Sequence, residues 1–461
     1  MPIQTINPFN NQVVQSFKEM TAKEAGLAII KAHDAFQTWK KTSFTNRSTL
    51  LHETAARMRK KKEELARIIT LEMGKLIGDA RAEVDLSADI LDYYAEHAED
   101  FLKNQKVKVS TGEAYLVFDP IGVIFGVEPW NFPFYQVVRV AAPNIMVGNT
   151  VLIKHASNVP QCGIAIEKLF HEAGAPEGVY TNLLVSSRET LKSIIENPKI
   201  AGVSLTGSES AGASVAETAG NALKKSVLEL GGSDPFIVLD DADVEKTITS
   251  AVWGKMNNTG QCCVAPKRYI LMDSIADQFI KKFSERLSKL QPGDPLDEKT
   301  TLGPLSSEAA AVQLQKQIDS TIKMGGKALI GGKRPAMNGA FVAPTILLDV
   351  KPGMPAYSEE LFGPVATIFR VKTEEEAIHL ANDTSFGLGA SVFSNNIERA
   401  QKVAKQIESG MVFINHPTWT EPELPFGGTK KSGYGRELSD VGIFEFVNKK
   451  LIRINDYNDP F

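Results

Sequence analysis

Hydrophobic patterning divides the chain into two textures. Over the first hundred residues apolar positions recur at helical spacing. Thr21 followed by Glu24 has the pattern of a reciprocal helix cap, and Ala28, Ala32, Ala35 and Trp39 fall on one face behind it. A longer charged stretch, from about Ser48 to Leu102, keeps the same period, and its apolar positions read as packing rather than site. From Tyr115 the period shortens. β-rich runs at 121–127, 151–153, 182–185, 202–205 and 227–230 alternate with helical segments, which predicts parallel βα units in an open, helix-covered sheet. A second alternating set follows Asp234. Residues 236–239 precede a helix capped near Asp240 to Asp243, Arg268–Met272 precedes another, and the pattern recurs through 411–415. Two α/β domains with a boundary near Gly231-Gly232 are therefore expected. The tail, 444–455, reads as a closing strand that pairs with another subunit.

Composition narrows the class. The 461 residues are too many for one ordinary core, and 43% hydrophobic with 23% charged residues is a globular balance. A net charge of -4 gives no electrostatic attraction for nucleic acid or an anionic membrane. The basic run from Arg57 to Lys62 meets Glu63-Glu64 at once and reads as a solvated helix face. Three cysteines cannot build a disulfide framework, so a reducing, cytoplasmic setting is expected. The first residues lack a basic region followed by an apolar stretch, and no apolar run is long enough to span a membrane.

Candidate chemistry concentrates where the strands end. Asn258-Thr259-Gly260-Gln261-Cys262-Cys263 sets two adjacent thiols in a glycine-containing loop, and Glu229 ends an apolar strand upstream. A thiol able to ionise and a carboxylate able to activate water suffice to make and hydrolyse a thioester. Residue chemistry alone does not choose between Cys262 and Cys263. Thr206-Gly207-Ser208, with Gly212 behind it, reads as strand, turn and helix start, where amide N–H groups and Ser208 attract a phosphate or simply close a turn. Lys154 ends a strand where open α/β sheets bind ligands. In Pro129-Trp130-Asn131-Phe132-Pro133 two prolines hold one carboxamide rigidly, which suits donation to a developing oxyanion. Glu360 and Phe362 place a carboxylate beside an aromatic ring, and Cys162 reads as a small buried hydrophobe.

Together these segments, with Leu228-Glu229-Leu230-Gly231-Gly232, Glu360-Leu361-Phe362-Gly363-Pro364 and Pro425-Phe426-Gly427-Gly428 in the same order, resemble the aldehyde dehydrogenase superfamily over essentially the whole chain. The resemblance implies that family's α/β fold: two domains with open, mostly parallel sheets and a small oligomerisation β element. The expected division is a nicotinamide dinucleotide-binding domain over 1–106 and 126–230, a catalytic domain over 231–432, and an oligomerisation element over 107–125 and 433–461. It implies Cys263 as nucleophile, Asn131 and the Cys263 amide as oxyanion donors, and Glu229 as the group that activates water. Trp130, Lys154, Ser157, Gly207, Ser208, Gly212, Leu230, Glu360 and Phe362 are then expected along the cofactor path, with no metal.

Many NAD-preferring members carry a glutamate where this chain has Ser157. A serine next to Lys154 tolerates a 2′-phosphate that a carboxylate repels, so NADP is expected at least as readily as NAD. The usual glycine-rich turn is replaced by Val185-Ser186-Ser187-Arg188, where Arg188 is a phosphate ligand or a surface charge. Within the family the chain resembles the succinate-semialdehyde dehydrogenase subgroup. Arg139 matches an arginine that binds the substrate's distal carboxylate there, whereas Asn257 stands where some members have a second arginine. Oxidation of succinic semialdehyde by a homodimer or homotetramer is the expectation. Other semialdehydes, aliphatic aldehydes and a non-catalytic dinucleotide-binding protein are the alternatives. Acyl transfer to coenzyme A is disfavoured by Glu229.

Overall fold

The computed structural model describes residues 3–457. Two open sheets organise it. One has six strands in the order Gly433–Tyr434, Lys225–Glu229, Ile200–Thr206, Val123–Glu128, Thr150–His155 and Tyr180–Asn182. Its pairs are parallel except the edge pair of Gly433–Tyr434 with Leu228 and Glu229. The other has seven, in the order Lys327–Ile330, Thr345–Leu348, Val365–Val371, Arg268–Met272, Pro235–Val238, Ser391–Phe393 and Phe413–Ile414, with only the first pair antiparallel. The central strands are near-continuous apolar runs because helices cover both sheet faces; Arg268–Met272 is buried at all five positions.

The α/β expectation holds, with local corrections. Ala22–Trp39 is a helix with the reciprocal Thr21–Glu24 cap. The stretch read as one charged helical run is three helices, Phe44–Lys60, Lys62–Met73 and Ile77–Phe101. The second break occurs at Gly74, whose φ of +79° suits a residue without a side chain. An N-terminal hairpin, Ile3–Asn7 with Gln12–Phe17, escaped the periodicity. Its turn includes Asn11 at φ 60°, a conformation asparagine tolerates.

The closing strand, Val447–Ile454, pairs within its own chain, antiparallel to Glu113–Pro120, which in turn pairs with Gln105–Val107. Val447–Ile454 is an edge strand of this three-stranded sheet, and its other side is unpaired among the described residues. Gly433–Tyr434, expected in the oligomerisation element, instead edges the six-stranded sheet. Among the described residues no helix is long and apolar enough to cross a membrane.

Candidate active site

The site forms where strands of the six-stranded sheet end. Glu229 closes Lys225–Glu229, Thr206-Gly207-Ser208 follows Ile200–Thr206, and the Trp130-Asn131 turn follows Val123–Glu128. The cysteine loop comes to meet them by an unusual backbone path. Asn258 and Thr259 have φ of 49° and 56°, and Gly260 has φ of 77°. A Cβ at Gly260 would lie 2.2 Å from the Gly363 carbonyl oxygen, so only glycine allows this approach. Left-handed φ at two non-glycine residues costs energy that the surrounding contacts must offset. Asn258 supplies part of that offset, its Nδ2 donating to the carbonyls of Asn131 (2.9 Å) and Gln261 (3.2 Å).

The half-buried Cys263 borders two cavities. The first, about 220 Å³, is lined by Trp130, Asn131, Glu229, Glu360 and Phe362 as well as the thiol. Asn131 is 4% exposed. Its Nδ2 donates to the Gln261 carbonyl (3.1 Å), and its Oδ1 accepts from Gln136 Nε2 (3.0 Å). Glu229 is 2% exposed, and neither carboxylate oxygen has a hydrogen-bond partner among the described residues. Burial pushes its carboxyl well above the ordinary range, against the pull of Arg139. Cys263 shares a hydrogen bond with Cys262; that bond and burial push its thiol up, while Lys267 and Arg139 draw it down. Trp130 and Phe362 meet edge to face at 5.7 Å between ring centroids.

The second cavity, about 20 Å³, is bounded by Phe132, Tyr135, Trp419, Thr420 and Phe426. It adjoins an outer one of about 380 Å³ through Phe132 and Trp419. The outer mouth carries Glu83, Asp85 and Asp89, each already paired, with Lys75, Lys62 and Arg59 respectively. On the other side Ser208 borders both the first cavity and one of about 410 Å³ that contains Lys154, Arg188 and Lys192. The thiol thus lies between an aromatic passage and a long cleft with cations at its far end.

Most candidate residues gather around this cleft. Trp130, Gly207, Ser208, Leu230, Glu360 and Phe362 line its inner part, and Lys154 lies in its outer part. Ser208 caps the helix Glu209–Asn221, its Oγ accepting from Ala211 N at 3.3 Å. A Cβ at Gly212 would meet Leu230 carbons at 2.7 Å, so the bare helix face lets Leu230 close the cleft floor. Ser157 is half-buried just beyond the strand Thr150–His155 and does not line the outer cavity.

Arg139 departs from expectation. It is 1% exposed and borders neither cavity at the thiol. Its guanidinium pairs with Glu437, donates to Tyr135 Oη (3.1 Å) and Thr206 Oγ1 (3.0 Å), and lies over the rings of Tyr135 and Phe426. Direct capture of a substrate carboxylate by Arg139 is therefore corrected: the buried Glu437, itself held by Ser204 Oγ (2.9 Å), occupies the guanidinium. Replacing Arg139 by leucine should leave Glu437 as an uncompensated buried charge and destabilise the protein by about 3 kcal/mol. Urea unfolding at neutral pH measures this, and an unchanged midpoint would show that the pair is energetically idle.

Sequence reading missed Gln136, Asn258, Glu437 and Lys267. Lys267 had a visible signal: Lys267-Arg268 puts two cations directly ahead of the apolar run Tyr269-Ile270-Leu271-Met272, where only satisfied charges survive burial.

The model of the aldehyde dehydrogenase family matches residues 1–452. A protein of Deinococcus radiodurans named succinate-semialdehyde dehydrogenase [NADP(+)] is 50% identical, the match covering 98% of this chain and 94% of that one. A Synechocystis protein named probable succinate-semialdehyde dehydrogenase [NADP(+)] is 44% identical, with 98% and 100% covered. The crystal structure of succinic semialdehyde dehydrogenase from Streptococcus pyogenes in complex with NADP+ superposes with a TM-score of 0.97 at 44% identity, covering 98% of this chain and 100% of that one.

Proposed function

The chain belongs to the aldehyde dehydrogenase family, and we propose that within it the protein oxidises succinic semialdehyde to succinate with NADP as preferred electron acceptor. The observation that carries this reading is Cys263 at the junction of two cavities, with the unpartnered Glu229 on the wall of one of them. The names of the relatives support the substrate and cofactor.

The cleft suits a dinucleotide. It runs from Cys263 past the helix start at Ser208 to Lys154 and Arg188, cations suited to a terminal phosphate. Glu360, fixed by Gly232 N (3.1 Å), would hold the nicotinamide ribose, and Phe362 and Trp130 would border the ring. The 1–106 and 126–230 segments would bind the cofactor and 231–432 would supply the nucleophile. The three-stranded sheet, with Leu451 and Ile454 exposed, would join subunits.

Cys263 Sγ attacks the aldehyde carbon as a thiolate, and Asn131 Nδ2 with the Cys263 amide N–H holds the oxyanion. The chemistry that a nicotinamide dinucleotide would supply when bound in this cleft is acceptance of the hydride from the former aldehyde carbon, and Cys263 Sγ would then carry the acyl group as a thioester. Glu229 then removes a proton from water as it attacks the acyl carbon, and the C–S bond breaks to release the acid and return Sγ as the thiolate. Tyr135 and Thr420, whose hydroxyls lie 2.8 Å apart in the aromatic passage, would face the distal carboxylate, with Arg139 polarising Tyr135 from behind.

A panel of semialdehydes and neutral aliphatic aldehydes, assayed with both cofactors at the reduced-nicotinamide absorbance band, tests the assignment. Succinic semialdehyde with NADP should show the highest kcat/KM, by about tenfold or more over a neutral aldehyde of equal length. A neutral aldehyde turned over as efficiently, or NAD used better than NADP, would contradict it.

A further inference from the structure

Directly behind the cysteine loop one buried cation meets two separate pieces of the site. Lys267 is 2% exposed. Its Nζ donates to the carbonyl oxygens of Cys262 (2.9 Å) and Cys263 (2.6 Å) and lies 3.1 Å from Glu360 Oε1. An ammonium has three N–H donors, and these three oxygens match them. The same Glu360 oxygen accepts from Gly232 N at 3.1 Å. The Gly231-Gly232 crossing also runs against the loop, since a Cβ at Gly232 would stand 2.9 Å from the Cys263 carbonyl oxygen. Lys267 itself is fixed by its place at the head of Arg268–Met272 in the seven-stranded sheet.

We propose that Lys267 is a positioning residue that couples the nucleophile loop to the carboxylate on the cofactor side, so that Sγ and the nicotinamide ribose site keep one geometry and share one positive charge. This rests on Cys263 and Glu360 having the roles proposed above. Holding both cysteine carbonyls fixes the peptide that carries Sγ, and the ammonium favours the thiolate over the thiol. The charge is well anchored. Burial draws the Lys267 ammonium down, but Glu360, Asp234 and the two thiols outweigh it and leave it raised. The other cation facing it, Lys255 on the helix Val244–Met256, is pulled well down by burial and by Lys267, and its Nζ has no hydrogen-bond partner among the described residues. Arg139 also draws the Cys263 thiol down and Lys75 the Cys262 thiol, but Lys267 is the cation whose Nζ meets both cysteine carbonyls and Glu360. An arginine keeps the charge but presents a planar fork in place of three converging donors.

The test uses the full chain without substrate or cofactor. The pH dependence of iodoacetamide alkylation is read on the Cys263 peptide by mass spectrometry, and KM and kcat for NADP are measured separately. In Lys267→Met the alkylation midpoint should rise by about one pH unit, as expected on losing a nearby opposite charge. The cofactor KM should rise about tenfold as Glu360 loses its partner. Lys267→Arg should restore the alkylation midpoint. In Glu360→Gln, which frees the ammonium from its carboxylate, the midpoint should fall while the cofactor KM rises. A Lys267→Met protein that melts at lower temperature but alkylates with the parent profile has lost only a structural contact, and that result overturns the proposal. If Lys267→Met does not fold, an unchanged alkylation midpoint in Glu360→Gln overturns it equally. The alkylation readout needs no aldehyde, so failure there is distinguishable from a wrong substrate.

Discussion

Cys263→Ser should lose about four orders of magnitude or more in kcat, the scale on which removal of a covalent nucleophile is felt, whereas Cys262→Ala should stay within about tenfold of the parent. The two thiols are neighbours in sequence but not in surroundings. Cys263 borders both cavities, together with Asn131 and Glu229 on one side and Thr420 on the other. Cys262 is buried and borders only the aromatic passage. A hydroxyl at position 263 keeps the shape of the site but ionises too weakly to attack at neutral pH. Steady-state turnover of succinic semialdehyde by the two variants measures this directly. Equal losses in both would mean that the pair acts as one group.

Glu229→Gln should slow the steady state by about three orders of magnitude, the range for loss of a positioned general base, while the first turnover still releases a burst of reduced cofactor. The cause is the timing of the two half-reactions: the thiol forms the thioester, and only its hydrolysis needs the carboxylate. Burial pushes the Glu229 carboxyl well above its ordinary 4.5, so the base form gains population as pH rises. Hydrolysis by the parent should therefore accelerate with pH through that raised value, and the variant should lose this limb. Stability carries the opposite sign. Above 4.5 the unfolded carboxyl has lost a proton that the folded one keeps, so stability falls as pH climbs towards the folded value. Glutamine has no such penalty. At about pH 8 the variant should melt higher than the parent, with the gap closing below the ordinary carboxyl range. Rapid-mixing kinetics and thermal melts across pH test both halves. A parent and variant with the same hydrolysis rate would remove Glu229 from the chemistry.

The residues that carry local chemistry were legible in the sequence because they sit at strand ends or in rigid turns. Glu229 closes an apolar run, Asn131 lies between two prolines, and Gly260 sits in the loop that carries the two thiols. What stayed hidden depends on partners remote along the chain. Arg139 looked available on a helix near the site, yet Glu437, contributed by the C-terminal region, occupies its guanidinium. Lys267 shows as a cation before an apolar strand, but its meaning appears only when Glu360 and the cysteine carbonyls converge on it. The N-terminal hairpin was missed for a different reason. Gln12–Phe17 is exposed at five of its six positions, so it lacks the apolar alternation by which a half-buried strand announces itself.

In this mechanism the substrate's acyl group is carried on one sulfur and released by one carboxylate. The most direct measurement is to mix Glu229→Gln with succinic semialdehyde and NADP, quench within the burst, and map the acylated peptide by mass spectrometry. A succinyl mass on Cys263, absent when NADP is omitted, is the predicted result. An unmodified Cys263, or the succinyl group on Cys262, would contradict it.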